Sequence, residues 1–267
     1  MNIERPDKTE KLEPLADSFY DSFYKKTWNG DEELLRSISI GDAYDVQNLV
    51  AEKRIKSGER VAGFKVGCTS EAIRKQFGLT EPISGRLFYP HTTESLRSIN
   101  CSDFINCAIE PEMVLKMGKN LEDKNPSDKE LIDAIEYVSP GIEIHEFNFW
   151  VQPPTIQELI CSGGIHTGLV IGEEKVAPES LKFKHEIFSV YKDNALVTGA
   201  PASEIMGGPI HSLRWLVNSL LERGSILEKG SFVIPGSPVE LVSIDKDLEL
   251  KVVIEDVGTV AINFGRN

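Results

Sequence analysis

Short apolar segments of strand type recur after residue 60 and constrain the fold more than any other feature. They include VAGFKVG, GRLFY, CAIEPEMVLKM, GIEIHEF and HTGLVIG, each bounded by glycine, proline or polar residues. Such boundaries are typical of strands. Because few helical segments separate them, the pattern predicts an α+β fold with an antiparallel or mixed sheet assembly flanked by helices. A doubly wound dinucleotide fold is not expected, since GFKVGCTS does not match GxGxxG and no P-loop motif occurs.

Helical periodicity is concentrated near the N-terminus and in one late segment. Two or three helices are expected between Leu15 and Ser57, and the segment AYDVQNLVAEKRIKSG ends at Gly58. The segment PIHSLRWLVNSLLERG places apolar residues from Ile210 to Leu221 on one helical stripe, with Gly224 as a C-terminal cap. We therefore predict an N-terminal helical portion, residues 1–60, followed by a β-rich portion, residues 61–267.

Two segments have the pattern of β-hairpins. In IFSVYKDNALVTGA, strand-type residues flank a turn formed by Lys192, Asp193 and Asn194. In LELKVVIEDVGTVAINF, the turn is expected between Glu255 and Gly258. Both hairpins indicate that part of the sheet assembly is antiparallel.

The charge of the chain disfavours two classes of partner. Its 42 acidic and 29 basic residues give a formal net charge of -13, and such a surface repels phosphate backbones and anionic lipid. We therefore expect neither a nucleic acid nor a membrane as a partner, and no run long enough to span a bilayer occurs. The N-terminal MNIERPDKTEKLEP has no apolar signal-peptide core, so we expect a cytoplasmic protein.

The four cysteines do not form a recognisable metal or redox motif. Cys68, Cys101, Cys107 and Cys161 show none of the short paired spacings of zinc sites or CxxC motifs. We expect buried free thiols. A reactive thiol at Cys68 or Cys161 is the less favoured alternative, because no base adjacent in the sequence marks either residue.

Three glutamates on strand-type segments form a candidate metal site. Glu110 and Glu112 in AIEPEMVLKMG are two residues apart, so in a strand they point to the same face. Two like charges at that spacing raise one another's pKa or require a cation between them. Glu143, in GIEIHEF, is a third carboxylate between apolar neighbours. Three carboxylates suit Mg²⁺ or Mn²⁺; the alternative is that all three are solvent-facing strand residues.

Lys65 is the second unusual residue in a strand-type segment. It lies between Phe64 and Val66 and is bracketed by Gly63 and Gly67, which allow backbone or ligand to approach closely. A lysine in such a position can hold an anionic substrate group. The alternative is an outward-facing strand residue.

Several ordered motifs between about Gly41 and Phe264 resemble one enzyme family. The motifs AYDVQ, GFKVGCTS, IEPE, GIEI and GGPIHSLRWLVNSLLERGSILEKGSFVIPGS are similar to those of the 2-oxopent-4-enoate hydratase and 4-oxalocrotonate decarboxylase family, within the fumarylacetoacetate hydrolase superfamily. The resemblance implies a mixed, rolled β-core of the fumarylacetoacetase C-terminal type with peripheral helices. It implies one Mg²⁺ or Mn²⁺ held by Glu110, Glu112 and Glu143, with Lys65 binding the substrate and taking part in catalysis.

The resemblance also implies the reaction. The expected enzyme is a metal-dependent lyase of aromatic catabolism, a homo-oligomer that hydrates a small 2-oxo acid such as 2-hydroxypenta-2,4-dienoate to a 4-hydroxy-2-oxo acid. One alternative is decarboxylation of a 4-oxalocrotonate-type diacid. Another is a non-catalytic family member that acts as a partner subunit. A zinc hydrolase is a weaker alternative, because the candidate ligands are all carboxylates. A C–C hydrolase is also weaker, because no dedicated His/Glu base pair can be placed.

The sequence departs from the family pattern where acid/base residues are expected. The family aspartate after the lysine falls on Ile83, with Glu81 as the only nearby acid, and the family Asp-Asn pair falls on Ser162 and Gly163. The family Asp and Arg after the third glutamate become Glu146 and Asn148. Either a histidine transfers protons, with His166 preferred as the catalytic residue and His145 as the alternative, or the protein catalyses a related reaction that does not need this acid/base set, or activity has been lost.

Overall fold

The computed structural model describes residues 8–94, 98–245 and 247–265. Its N-terminal part is helical, with α1 over Lys8–Lys25, α2 over Glu32–Ser37 and α3 over Ile40–Lys56. Helix α3 begins with a capping box, in which the side chains of Ser39 and Asp42 bond each other's backbone N–H groups. The predicted N-terminal helices are therefore confirmed for the described residues.

In the described part of the chain, thirteen strands, four further α-helices and three short 3-10 helices follow α3. The strands are β1 Arg60–Gly67, β2 Ile83–Tyr89, β3 Thr92–Thr93, β4 Ser98–Asn100, β5 Cys107–Met117, β6 Ile135–Glu146, β7 His166–Ile171, β8 Ile187–Lys192, β9 Ala195–Pro201, β10 Phe232–Ile234, β11 Val242–Ile244, β12 Leu248–Ile254 and β13 Gly258–Gly265. The helices are α4 Glu71–Gln76, α5 Asp128–Ala134, α6 Ile156–Cys161 and α7 Pro209–Glu222.

An eight-stranded mixed sheet forms the centre of the molecule. Its order is β2-β1-β10-β5-β6-β7-β3, and β11 pairs additionally with β5. Most neighbours are antiparallel, while β1 and β10, and β3 and β7, are parallel. Strands β2 and β3 at the two ends of this order contact each other, so the sheet curls almost into a barrel. This is the rolled β-core that the family resemblance implies.

A five-stranded sheet, in the order β4-β13-β12-β8-β9, contains both predicted hairpins. Strands β8 and β9 are joined at Asp193 and Asn194, whose positive φ angles of 48° and 65° suit a tight turn. Strands β12 and β13 are joined through the predicted turn before Gly258. The two hairpin predictions are confirmed.

The main core lies between the two sheets and α7. Helix α7 buries the predicted apolar stripe, including Leu213, Leu216 and Val217, against residues of both sheets. Pro209 occupies the first turn of this helix, where a missing N–H breaks no hydrogen bond. Burial of such side chains contributes about 1.5–3 kcal/mol each to folding.

A second core joins the N-terminal helices to the rolled sheet. Leu15 and Phe19 of α1 and Val46 of α3 cluster with Ile83 of β2 and Ile160 of α6. The α+β fold class is thus confirmed, with helices on the periphery of the sheets. The division into portions 1–60 and 61–267 stays a prediction.

The interior of the rolled sheet contains two groups of side chains. One group is apolar and is called the apolar cluster here: Ala62, Leu87, Val114, Leu169, Ile171, Phe232 and Ile234. The other is the charged cluster: Lys65, Glu110, Glu112, Glu143, His145 and His166. Successive residues of a strand point to opposite faces, so Glu112 and Val114 of β5 share the inner face and belong to different groups.

Candidate functional site

Glu110, Glu112 and Glu143 project from two adjacent strands. Strands β5 and β6 are antiparallel and place Glu110 directly opposite Glu143, while Glu112 lies two residues further along the same face of β5. Glu112 and Glu143 are fully buried, and the side chain of Glu110 is 23% exposed. The alternative in which these glutamates face solvent is therefore wrong for Glu112 and Glu143.

Glu143 is the centre of the charged cluster. Its Oε1 accepts hydrogen bonds from Lys65 Nζ at 2.5 Å and from His166 Nδ1 at 2.8 Å. Its Oε2 lies 3.4 Å from His145 Nε2. The structure thus brings three basic groups from β1, β6 and β7 to one carboxylate, although they are far apart in the sequence.

Glu112 has far less support than Glu143. Its Oε2 accepts a hydrogen bond from the Gly236 backbone N–H at 3.1 Å. Its Oε1 is buried and has no hydrogen-bond partner among the described residues. An unpaired buried carboxylate oxygen is unfavourable unless a proton or a cation compensates it.

Lys65 is buried in the interior of the sheet, with only 2% of its surface exposed. Its Nζ donates to Glu143 and, at 3.3 Å, to the carbonyl oxygen of Gly164. Burial lowers the pKa of Lys65, but the negative charges of Glu143 and Glu110 outweigh burial and raise it. The lysine therefore stays charged, and the alternative of an outward-facing residue is wrong.

The two buried histidines differ in protonation. Burial lowers the pKa of His145, but the adjacent Glu143 raises it to about 8. Burial dominates at His166 and lowers its pKa to about 4, despite the hydrogen bond to Glu143. His166 is therefore neutral near pH 7. Because its Nδ1 faces a carboxylate oxygen and must carry the proton, Nε2 retains a free lone pair.

The pKa values of the two buried glutamates are pushed in opposite directions. Burial, together with the charges of Glu143 and Glu110, raises the pKa of Glu112 well above its usual value. Burial acts in the same direction on Glu143, but His145 and Lys65 outweigh it and hold the pKa of Glu143 well below its usual value. Glu143 is ionised, whereas the charge of Lys65 and the Gly236 N–H only partly offset the rise in the pKa of Glu112.

The donor atoms of the charged cluster fit a hard divalent cation. One oxygen each of Glu110 and Glu143 and a ring nitrogen of His145 lie within 4.8 Å of one another. His145 Nε2 is 3.1 Å from Glu110 Oε2; while His145 is protonated this nitrogen donates to the carboxylate, and the ring can join the metal ligands only in its neutral form. In the described part of the chain, Glu112 Oε1 and Glu143 Oε2 have no hydrogen-bond partner. Such oxygens suit Mg²⁺ or Mn²⁺.

The remaining residues at family acid/base positions lie outside the cluster. Ile83 is buried in the second core with the N-terminal helices, and Glu81 is exposed. Glu146 bonds Lys26 Nζ at 2.5 Å and the Ile105 backbone N–H at 2.5 Å, which ties α1 to the sheet. None of these three side chains appears among the hydrogen-bond or ion-pair partners of the described charged cluster.

The sequence analysis missed two backbone groups of the site. The Gly164 carbonyl binds Lys65, and the Gly236 N–H binds Glu112. Gly163, Gly164 and Ile165 have consecutive positive φ angles of 71°, 77° and 53°, so the loop before β7 turns its backbone toward Lys65. The sequence signals for these two backbone groups were the glycine pair Gly163–Gly164 and the IPGS motif that contains Gly236, because backbone with positive φ favours glycine.

The cysteines show no sign of reactivity. None of the four forms a disulfide, and Cys107 and Cys161 are buried. Burial raises the pKa of the Cys68 thiol to about 11 and that of Cys161 still further. The thiolate is the reactive form, so these shifts disfavour a reactive thiol at Cys68 or Cys161. The prediction of buried thiols is confirmed for Cys107 and Cys161 and is wrong for Cys68 and Cys101, which are half-buried. Among the described residues, no helix is long and apolar enough to cross a bilayer.

Comparison with curated proteins finds relatives over most of the chain. The 2-keto-4-pentenoate hydratase of Paraburkholderia xenovorans (strain LB400) is 24% identical over 230 residues, covering 86% of this chain and 86% of the relative. The 4-oxalocrotonate decarboxylase of a Pseudomonas species is 26% identical over 227 residues, covering 85% and 88%. No family model matches the chain.

Comparison with solved structures finds the same fold. The 4-oxalocrotonate decarboxylase from Pseudomonas putida G7, complexed with magnesium and adipate, has a TM-score of 0.90 at 23% identity and covers 96% of this chain and 97% of its own. Fumarylpyruvate hydrolase from Pseudomonas aeruginosa, in complex with Mn²⁺ and pyruvate, has a TM-score of 0.61 at 13% identity, covering 76% and 89%. At these identities the likeness establishes the fold.

Proposed function

We propose that this chain, which belongs to the family of 2-keto-4-pentenoate hydratases and 4-oxalocrotonate decarboxylases, is a metal-dependent lyase. It adds water to a short 2-hydroxy-2,4-dienoate, such as 2-hydroxypenta-2,4-dienoate, and yields a 4-hydroxy-2-oxo acid. The observation that carries the proposal is the buried Glu143, which is bonded to Lys65 and His166 beside the orphaned carboxyl of Glu112.

The proposed cofactor is Mg²⁺ or Mn²⁺, and Glu110, Glu112 and Glu143 would hold it. The unpaired Glu112 Oε1 supports this assignment, as does Glu143 Oε2, which lies 3.4 Å from His145 Nε2 and accepts no hydrogen bond from the described residues. Solved structural neighbours are complexed with magnesium or Mn²⁺. A divalent cation at this position would polarise the 2-oxo acid and stabilise the negative charge that develops during reaction.

Lys65 and His166 are the proposed catalytic side chains. The buried ammonium group of Lys65 would bind and orient the substrate carboxylate, because it is the cationic side chain that points into the interior from β1. His166 has its Nδ1 proton donated to Glu143, so its Nε2 can accept a proton from water as that water adds to the substrate. The bond to Glu143 also fixes the orientation of the ring.

Decarboxylation of a 4-oxalocrotonate-type diacid is the second candidate. It is favoured by the absence of the family aspartate. The buried Ile83 occupies the position where that aspartate is expected. Loss of CO₂ needs no residue that delivers water to a distant carbon. We also propose a cytoplasmic location, a role in aromatic catabolism and a homo-oligomeric state. These three proposals rest on the family resemblance.

Turnover assays with purified protein and Mn²⁺ test the proposal. Hydration of a 2-hydroxy-2,4-dienoate removes its conjugation, so its ultraviolet absorbance should fall while a 4-hydroxy-2-oxo acid accumulates. Decarboxylation would instead release CO₂. The variant Glu112→Gln should abolish turnover, and the exposed-site variant Glu81→Gln should not. The proposal fails if two results are found together. The protein converts neither monocarboxylic nor dicarboxylic 2-oxo dienoates, and Glu112→Gln leaves Mn²⁺ binding unchanged.

A further inference from the structure

We infer that the substrate carries a second carboxylate and that Arg86 binds it. This inference rests on the proposed function and specifies the substrate as a 2-hydroxy-2,4-dienedioate. The structural basis is a small cavity that contains both Arg86 and His166. Arg86 is therefore proposed as a residue that determines specificity at the far end of the substrate from Lys65.

Arg86 is a cation without an anionic partner. Its guanidinium donates to Asn48 Oδ1 at 2.7 Å and to Gln47 Oε1 at 3.4 Å, both neutral amides. It forms no ion pair with any carboxylate in the described ranges. Burial and the nearby Arg223 lower the pKa of Arg86, and the charge of Glu52, which acts in the opposite direction, does not outweigh them. This is unexpected in a chain with a net charge of -13.

The neighbouring arginine shows the contrast. Arg54 lines the same cavity, but its Nε donates to Glu59 at 2.7 Å and its guanidinium stacks on the rings of Phe23 and Phe88. The charge of Arg54 is therefore already satisfied within the protein. Of these two arginines, only Arg86 has a guanidinium free to pair with a ligand carboxylate.

The cavity is lined by residues of the layer outside the sheet and by one residue of the charged cluster, His166. Strand β2 is an edge strand, and its register places Gly85 opposite Lys65 on the inner face and Arg86 on the outer face. A cavity of about 30 Å³ runs past this edge, lined by Arg86, Gln47, Ser162, Gly163 and His166. A cavity needs roughly 10–15 Å³ by the same measure to hold one water molecule, so this one has room for a polar group as small as a carboxylate.

The chemistry of an arginine–carboxylate pair favours hydration over decarboxylation. A guanidinium stabilises the carboxylate anion, and the pair is lost if that carboxylate leaves as neutral CO₂. During hydration, a proton and a hydroxyl group from water become bonded to the two carbons of a double bond, and both carboxylates remain. Arg86 therefore supports addition of water to a diacid.

Two unreactive six-carbon acids isolate the second carboxylate. 2-Oxoadipate and 2-oxohexanoate share the 2-oxo acid end and differ only in the distal carboxylate. Isothermal titration calorimetry of the protein with Mn²⁺ should give binding of 2-oxoadipate about tenfold or more tighter, as for a hydrogen bond to a charged group. Arg86→Met should remove this preference and leave 2-oxohexanoate binding unchanged, and Arg86→Lys should restore part of it.

Arg223→Met is the matched control. Arg223 lines the adjacent groove of about 280 Å³ together with Arg86, but it does not line the cavity with His166. The preference should persist in this variant, and its loss would place the carboxylate in the outer groove and overturn the assignment. Equal binding of the two acids by the wild type also overturns it, while the proposed function stands. If neither acid binds, the proposed function and this inference fail together.

Discussion

The interior of the rolled sheet contains two regions of opposite character built on the same strands. β1 contributes Ala62 to the apolar cluster and Lys65 to the charged cluster, and β5 contributes Val114 and Glu112. Glu112 and Val114 are two residues apart and face the same way, while the bulge at Val61/Gly63 brings Ala62 to the face of Lys65. A shift of a few residues thus changes the interior from apolar to charged. The pairing of β5 with β6 runs through both regions, whereas bulges interrupt the pairing of β1 with β2 at Val61/Gly63 and that of β6 with β7 at Ile144/His145.

The two regions contribute differently to stability. The apolar cluster gains free energy by removing apolar surface from water, roughly in proportion to the area buried. The charged cluster is favourable only as far as its charges are paired, because an unpaired buried charge is strongly destabilising. Variants in the apolar cluster should therefore affect stability alone, whereas variants in the charged cluster should affect stability and activity together.

The largest effect is expected at Glu143. The variant Glu143→Gln removes the carboxylate that pairs with the buried Lys65, so we expect a loss of about 3–5 kcal/mol in the free energy of unfolding. Turnover with Mn²⁺ should fall about 1,000-fold. Denaturant unfolding and steady-state kinetics measure both effects. Glu136→Gln, an exposed change on the same strand, is the control; equal behaviour of the two variants would contradict the comparison.

An apolar variant should separate stability from activity. Ile171 is 2% exposed and belongs to the apolar cluster, so Ile171→Ala should lower the free energy of unfolding by about 2–5 kcal/mol. The kcat of the folded fraction should change less than about threefold. The control is Ile187→Ala, because Ile187 is a strand isoleucine with 41% exposure. A large loss of kcat would show that the two regions are coupled.

Glu158 is a buried glutamate outside the charged cluster and has no lysine or histidine partner there. It therefore shows what burial alone does to the pKa of a carboxyl group. Its Oε1 accepts a hydrogen bond from the Trp150 N–H at 2.6 Å, and it has no ion pair in the part of the chain described. Burial raises the pKa of Glu158 to about 7 from 4.5. The folded state therefore holds this proton more tightly, so the group favours folding below pH 4.5, and that contribution is lost as pH rises through 7.

Urea unfolding between pH 5 and pH 8 measures this contribution. Glu158→Gln stays neutral and keeps the acceptor, so it should be more stable than the wild type above pH 7 and should show a weaker decline with pH. Glu81→Gln, at an exposed position, should follow the wild-type curve. A parallel pH dependence of wild type and Glu158→Gln would show that burial of this group has no effect.

The smallest effect is expected in the glycine loop beside Lys65. A Cβ on Gly164 would lie 3.3 Å from Nζ and Cε of Lys65, whereas a Cβ on Gly163 would meet no described atom within 4 Å. Both have positive φ, so either alanine variant should lose about 1 kcal/mol of stability. Only Gly164→Ala should also raise KM, by a few-fold. Equal KM values would mean that Lys65 tolerates the added methyl group.

Local patterns were sufficient to predict much of the fold. The stripe of α7 and the turn at Asp193 and Asn194 depend on residues close in the sequence, so periodicity and turn residues identify them. The pairing of Glu110 and Glu112 on one face follows from the two-residue repeat of a strand. The order of strands could not be read in this way, because sheet neighbours such as β1 and β10 are distant in the chain.

The sequence by itself determined which residues carry unusual chemistry. A lysine between glycines and apolar residues, two glutamates at strand spacing and a third between isoleucines are visible without any coordinates. Together with the family motifs they indicated a metal-dependent lyase.

Only the tertiary structure decided how those residues combine. The register between β5 and β6 and the curl of the sheet bring Lys65 and His166 to Glu143, and the edge of β2 gives Arg86 its cavity beside His166. Charge pairing and burial depend on distances between segments that are remote in the chain, and pKa values depend on both. Spacing along a sequence determines none of these distances, which is why the partner of each charged group became clear only in the folded protein.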